Sequence, residues 1–269
     1  MPKFSILTPV YLDTQDRVDQ FLRCIQSVKS QTFKDFEWVV IDDGSPQPFL
    51  WDNLLNGFNL TLIHKNNENR IVAYNEAFEV AKGDWWTFLD SDDELPPNAL
   101  EIWNKHIKSR LGYKMFNCGS EYHHNDGQIT RREPFKLKWM GKKYGHEQFG
   151  GGNIVNGTFI FHKSVYEKLG GFPPKVVENV DCTEINYPMG GQMVRPLYMT
   201  SPFDFSAYYL VKYPEIRKYF MVDFENEPDK IIKELRNPWG QDMILFYQYT
   251  RKYHSKPIDE YLYIVHPKL

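Results

Sequence analysis

The apolar residues of the first hundred positions fall into two alternating periodicities. Phe4-Ser5-Ile6-Leu7-Thr8-Pro9-Val10 is a short β-rich run closed by a proline turn, and Val18, Phe21, Leu22, Ile25 and Val28 then recur at helical spacing. A second run, Phe36 to Ile41, is again apolar and ends in Asp42-Asp43-Gly44-Ser45. Strand, helix and strand make a βαβ unit, in which the two strands are parallel and finish at the same sheet edge. Leu60 to Ile63 predicts a third strand and Ile71 to Lys82 a helix stopped by Gly83, with Ala73, Ala77 and Ala81 forming a small-residue face for close packing on the sheet. Trp85 to Leu89 lacks any apolar/polar alternation, the mark of a strand covered on both faces. The pattern therefore predicts an α/β fold.

Where these strands stop, acids begin. Asp90-Ser91-Asp92-Asp93 ends the fourth strand and Asp42-Asp43 ends the second, so both groups face the crevice outside the carboxyl ends of an open α/β sheet, where ligands bind. One reading of the first group is helix capping before Pro96-Pro97; the other is a cation site, because clustered carboxylates repel unless a cation intervenes and hard oxygens suit Mg²⁺ or Mn²⁺. For Asp42-Asp43 the choice lies between an Asx turn and acceptance of a hydrogen bond from a base or ribose. Arg70, at the mouth of the third helix, is placed either to approach a diphosphate or to lie in solvent.

Past residue 100 the pattern predicts a helix from Pro97 to Leu111 and a hairpin turning at Asn125-Asp126-Gly127. A strand and short helix follow over 156–171, then a helix carrying Ile244, Leu245 and Phe246, then a closing strand from Tyr261 to His266. His123, His124 and His146 lack zinc-ligand spacing and read as surface histidines. The glycines of 150–152 are followed by no Lys-Ser/Thr and make a poor phosphate cradle. Residues 173 to 237 are rich in proline, tyrosine and methionine, with aromatics that either stack on sugar rings or build a satellite core.

Composition narrows the classes. A net charge of −3 with both signs interspersed argues against a polyanion partner, so no nucleic acid is expected. The 3 cysteines lack paired spacing and fit a reducing compartment. The sequence opens on no signal-like run and holds no apolar stretch of about 18 residues, which predicts no transmembrane segment. The expectation is a cytoplasmic protein, at most peripheral at the inner face of a membrane.

Taken together, Thr8-Pro9-Val10-Tyr11, Gln31-Thr32-Phe33, Val40-Ile41-Asp42-Asp43-Gly44-Ser45, Asn75, Ala81-Lys82-Gly83-Asp84 and Phe88-Leu89-Asp90-Ser91-Asp92-Asp93 resemble the family-two glycosyltransferases of GT-A fold. The resemblance covers roughly the first hundred residues in order and spacing, and Gly170-Gly171-Phe172 continues it. It implies one domain over 1–269 with a Rossmann-like mixed sheet and helices on both faces, residues 1–110 binding a nucleotide sugar and 111–269 the acceptor, with 173–237 enlarged. It implies an inverting transfer from a nucleotide-diphosphate donor, UDP-sugar by family frequency, to a glycan or glycolipid hydroxyl, assisted by Mn²⁺ or Mg²⁺. Carried over by residue, Asp43 meets the base, Asp90 the ribose and Asp92 the metal, with Pro9, Tyr11, Arg70, Asn75 and Ser91 around the donor. His266 completes the metal shell and Asp242 is the general base, with Asp181 as the competing acid. Family members commonly carry Arg before the asparagine matched by Asn75; here it is Tyr74. Two other classes are a sugar nucleotidyltransferase, which would want a glycine- and lysine-rich loop near residue 10, and an inactive sugar-binding domain, which would drop the carboxylates. The oligomeric state is left open.

Overall fold

The computed structural model describes residues 1–46, 51–68, 70–134, 156–172, 249 and 253–266, together with four two-residue strands between 176 and 204. The elements in chain order are β1 (Phe4–Val10), α1 (Gln15–Lys29), β2 (Phe36–Asp42), α2 (Trp51–Leu55), β3 (Leu60–His64), α3 (Arg70–Val80), β4 (Trp85–Phe88), α4 (Ala99–Ser109), β5 (Met115–His123), β6 (Ile129–Arg132), β7 (Phe159–His162) and α5 (Lys163–Leu169). The short strands β8 (Val176–Val177), β9 (Pro188–Met189), β10 (Gln192–Met193) and β11 (Phe203–Asp204) follow, and β12 (Ser255–Val265) closes the series.

The main sheet runs β12-β5-β7-β4-β1-β2-β3, with β6 paired to β5. Strands β1 to β4 are mutually parallel where they pair, β7 is antiparallel to both β4 and β5, and β12 is parallel to β5, so the sheet is mixed. Alternate side chains of each central strand serve different layers. Phe4, Ile6, Trp38, Val40 and Trp85 pack with Phe21 and Ile25 of α1 and with Leu100 and Trp103 of α4. Leu7, Val39, Ile41, Trp86 and Phe88 pack with Ala73, Ala77 and Phe78 of α3 and Val165 of α5. Helices therefore cover both faces, as unalternating apolar strands require. Ala73 and Ala77 are fully buried, in keeping with the small-residue face expected of α3.

The motif Gln31-Thr32-Phe33 closes α1 onto the segment that leads into α4. Gln31 is fully buried; its Nε2 donates to the carbonyls of Ser27 and Pro96 at 3.1 and 2.8 Å and its Oε1 accepts the Leu100 N–H at 3.2 Å. The Thr32 N–H donates to Pro97 O at 2.8 Å.

The closing strand begins at Ser255, well before the expected Tyr261, and its register with β5 is irregular between Pro257 and Tyr263. At the edge of a sheet a proline and outward charges are tolerated, and this hid the first half of β12 from the apolar pattern. The expected helix around Ile244, the loop at 150–152, His146, Asp181 and Asp242 lie outside the described residues.

Candidate functional site

The carboxyl ends of β1, β2 and β4 coincide: Val10 pairs with Asp42, and Leu7 with Phe88. The chain beyond each end turns outward, and between these turns lies an open cleft of about 380 Å³, within the range of small-ligand sites. Pro9 and Tyr11 after β1, Asp43 after β2, Arg70 at the start of α3, and Asp90, Ser91 and Asp92 after β4 all line it. So do Asp13, Thr14, Asp16, Arg17 and Gln20 from the start of α1, which sequence reasoning missed. Thr14 carried a signal, as a capping residue just before an amphipathic run; its side chain accepts the Arg17 N–H at 3.3 Å. Arg17 in turn pairs with Asp13 at 3.1 Å.

Asp42 and Asp43 divide their work. Asp42 is a turn-former: its Oδ1 accepts the Ser45 N–H at 3.0 Å and the Ser45 hydroxyl, and its Oδ2 meets His64 Nδ1 at 2.8 Å. Ser45 Oγ also accepts the Leu12 N–H at 2.9 Å, tying the β1 and β2 turns together. Asp43 lines the cleft, and its Oδ1 accepts from Lys65 Nζ and the Glu68 N–H, both at 3.0 Å. Gly44 holds φ at 77° with the Asn67 backbone so close that a Cβ would stand 2.6 Å from its nitrogen, so this turn requires glycine.

The acids after β4 gather rather than disperse. One oxygen from each of Asp90, Asp92 and Asp93 can lie within 4.8 Å of the others. Burial, reinforced by the charges of Asp92 and Asp90, pushes the Asp93 carboxyl well above the usual carboxylate range. Hydrogen bonds from the His266 N–H, at 3.1 Å to Oδ1, and from Tyr263 work the other way. Three crowded, mutually repelling hard-oxygen donors fit a divalent cation such as Mg²⁺ or Mn²⁺. Asp90 is held on several sides: the Tyr74 hydroxyl donates to Oδ1 at 2.6 Å, Arg70 lies 3.7 Å from Oδ2, and the Asp90 N–H donates to the Tyr263 hydroxyl at 3.0 Å. Neither tyrosine was assigned a role from sequence. Tyr74 was visible only as a departure from the family pattern, and Tyr263 only as a residue of the closing strand.

Two expected site residues make their side-chain contacts outside the cleft lining. Asn75 is turned toward the Gly171-Phe172 turn, its Nδ2 donating to Phe172 O at 2.6 Å and its buried Oδ1 lacking a partner among the described residues. It does not line the cleft. The His266 ring meets Glu94 Oε1 at 2.7 Å and borders a neighbouring hollow with Gln20, Arg23 and His123, while its backbone N–H reaches Asp93 of the acid cluster at 3.1 Å. His123 is half-buried and paired with Glu121 at 3.2 Å. No helix among the described residues is long and apolar enough to cross a membrane.

A sequence model described as glycosyl transferase family 2 matches residues 5–170. The chain is 31% identical over 127 residues to the putative colanic acid biosynthesis glycosyl transferase WcaA of Escherichia coli, covering 45% of this chain and 44% of that protein. It is 36% identical over 105 residues to the O-antigen biosynthesis protein RfbC of Myxococcus xanthus, covering 37% of this chain and 8% of that one. The matches thus span less than half the length of these relatives. Among solved structures, that of Staphylococcus aureus TarS 1-349 in complex with UDP-GlcNAc superposes with a TM-score of 0.61 at 15% identity, covering 99% of this chain and 59% of the other. At that identity the likeness speaks for the fold, which is GT-A.

Proposed function

The chain belongs to glycosyl transferase family 2, and from that premise we propose that it transfers a sugar from a UDP-sugar to a hydroxyl of a glycan or glycolipid acceptor, with inversion at the anomeric carbon. The observation that carries this reading is the convergence of Asp43, Arg70, Asp90 and Asp92 on one cleft at the carboxyl ends of three adjacent strands. The TarS structure is a complex with UDP-GlcNAc, and the relatives' names refer to bacterial polysaccharides; both favour a UDP-sugar and a glycan acceptor here.

In this reading Asp43 accepts a hydrogen bond from the base and Asp90 faces the ribose. Asp92, with Asp90 and Asp93, would hold Mg²⁺ or Mn²⁺. A bound divalent cation supplies charge neutralisation to a departing diphosphate. Arg70, partly exposed at the start of α3, adds a positive charge on the same side of the cleft. Asp242 takes the acceptor proton as the acceptor oxygen bonds the anomeric carbon; the bond to the diphosphate oxygen breaks and its electron pair leaves with the diphosphate. A single displacement inverts the centre and needs no covalent enzyme intermediate. Residues 1–269 act as one domain, with the acceptor held by the half beyond residue 110.

A thermal-shift screen of nucleoside diphosphates with and without Mn²⁺ tests the donor site. UDP with Mn²⁺ should raise the melting temperature most, since a ligand at about a hundredfold its Kd adds about 2.7 kcal/mol to native stability. Asp92→Ala should lose most of the Mn²⁺-dependent part and keep the fold, because it relieves repulsion at a strand end. Calorimetry showing Asp92→Ala binding UDP and Mn²⁺ as tightly as the unaltered chain would sink the assignment.

A further inference from the structure

Two tyrosines from distant parts of the chain meet beneath the Asp90 to Asp93 turn. Tyr74 in α3 is fully buried, packed edge-on against Phe88 at 4.8 Å between ring centroids and stacked on Phe172 at 5.5 Å, and its hydroxyl donates to Asp90 Oδ1 at 2.6 Å. Tyr263 in β12 is also fully buried. Its hydroxyl accepts the Asp90 N–H at 3.0 Å and stands close enough to the Asp93 carboxyl to lower its pKa. The phenols and the His266 N–H are all neutral donors. A neutral donor fixes a carboxylate oxygen and offsets its burial without cancelling its charge, whereas at Asp43 the direct partner is the Lys65 ammonium. The acid turn is therefore oriented from below by neutral groups, with Arg70, 3.7 Å from Asp90 Oδ2, as a charged neighbour lining the cleft.

The ring of Tyr263 has its own seat. Gly157 lies so close to it that a Cβ there would fall 1.6 Å from a ring carbon, and Gly157 has no left-handed backbone requirement of its own. Its bare backbone is what lets β12 bring the phenol under Asp90.

Resting on the donor-site reading above, we propose that Tyr74 and Tyr263 are positioning residues that set the affinity of Asp90, Asp92 and Asp93 for a divalent cation, with Gly157 as the seat that fixes Tyr263. Groups that orient metal-binding side chains typically change metal affinity by about 10- to 100-fold. Tyr74→Phe and Tyr263→Phe keep the rings and remove only the hydroxyls. In the presence of UDP, each should weaken Mn²⁺ binding, followed by the electron paramagnetic resonance of the free ion, by about that factor. UDP affinity measured in EDTA should fall by much less than Mn²⁺ affinity, because the base is recognised through Asp43 and only the ribose contact of Asp90 is shared. Gly157→Ala, which displaces the Tyr263 ring, should shift Mn²⁺ affinity in the same direction.

Undiminished Mn²⁺ affinity in both phenylalanine variants, alongside its loss in Asp92→Ala, would overturn the proposal and leave the donor-site reading standing. A fall of metal-free UDP affinity as large as the fall of Mn²⁺ affinity, with a matching loss of melting temperature, would reduce the tyrosines to scaffold and overturn it as well. Failure of the wild-type chain to bind Mn²⁺ with UDP would remove both.

Discussion

Asp43 is only 4% exposed, and what keeps a buried carboxylate tolerable there is Lys65. Burial alone would lower the Lys65 pKa, but its bonds to Glu68 and Asp43 outweigh that and hold it above the ordinary lysine value. A raised folded-state pKa means that the pair's contribution is complete below the unfolded lysine value and is lost only as pH climbs through the folded one. Nucleotide binding should therefore be insensitive to Lys65 titration throughout the neutral range. Removing the ammonium is a different matter. Breaking one side of a buried ion pair costs about 3 to 5 kcal/mol, because the remaining charge stays buried. Lys65→Met should lower unfolding free energy toward that range in urea titrations, and UDP affinity should fall with it as Asp43 loses its anchor. A variant with unchanged urea midpoint and unchanged UDP affinity would show that the pair positions nothing. Asp43→Ala should weaken UDP binding yet leave its Mn²⁺ dependence in place, since the acid cluster after β4 is separate from it.

Between elements, the segment that leads from β4 into α4 depends on how α1 ends. Gln31 satisfies carbonyls on both sides of the junction and the Leu100 N–H at the start of α4, so Gln31→Ala leaves buried polar groups unpaired at about 1–3 kcal/mol. Urea unfolding should show a loss of that size; an unchanged midpoint would mean that water replaces the amide. Elements of this kind were legible in the sequence because their signals are local. β1, β2 and β4 are buried on both faces and read as mostly apolar runs without alternation, and the acids that end β2 and β4 fell together because parallel strands share an edge. Long-range contacts left no such trace. Nothing local announces that Tyr263 reaches Asp90, or that Asn75 serves Phe172 rather than the cleft, since both follow from the pairing of β12 with β5 and the packing of α3 on the turn after α5. The first half of β12 was hidden by Pro257, Asp259 and Glu260, which an edge strand accommodates.

At the scale of the whole molecule, the proposed function gives the described cleft a nucleotide side and a cation site, and it also calls for an acid on the acceptor side. Two carboxylates compete for that role. Asp181 stands in Glu178-Asn179-Val180-Asp181-Cys182-Thr183-Glu184, soon after Gly170-Gly171-Phe172, with no apolar helical run behind it. Asp242 follows Gly240-Gln241 and precedes Ile244, Leu245 and Phe246, and the chain then reaches Tyr249, which is buried and donates its hydroxyl to Gly170 O at 2.7 Å. From there it enters β12, whose Glu94–Ile264 bridge and Tyr263 hydroxyl return it to the acid turn. Anchoring of the chain that follows it favours Asp242 as the base, because a base works through position: its effect comes from being fixed beside the acceptor oxygen. Loss of a general base costs about 10² to 10⁴ in rate. Asp242→Asn should bind UDP and Mn²⁺ as the wild type does yet transfer sugar slower by about that factor, lowering kcat with little change in KM. Asp181→Asn should stay within about tenfold of wild type, the loss expected of a residue that takes no proton. The opposite ranking would move the acid into the 173–237 region and make that stretch, rather than the segment leading to Tyr249, the catalytic wall of the acceptor site.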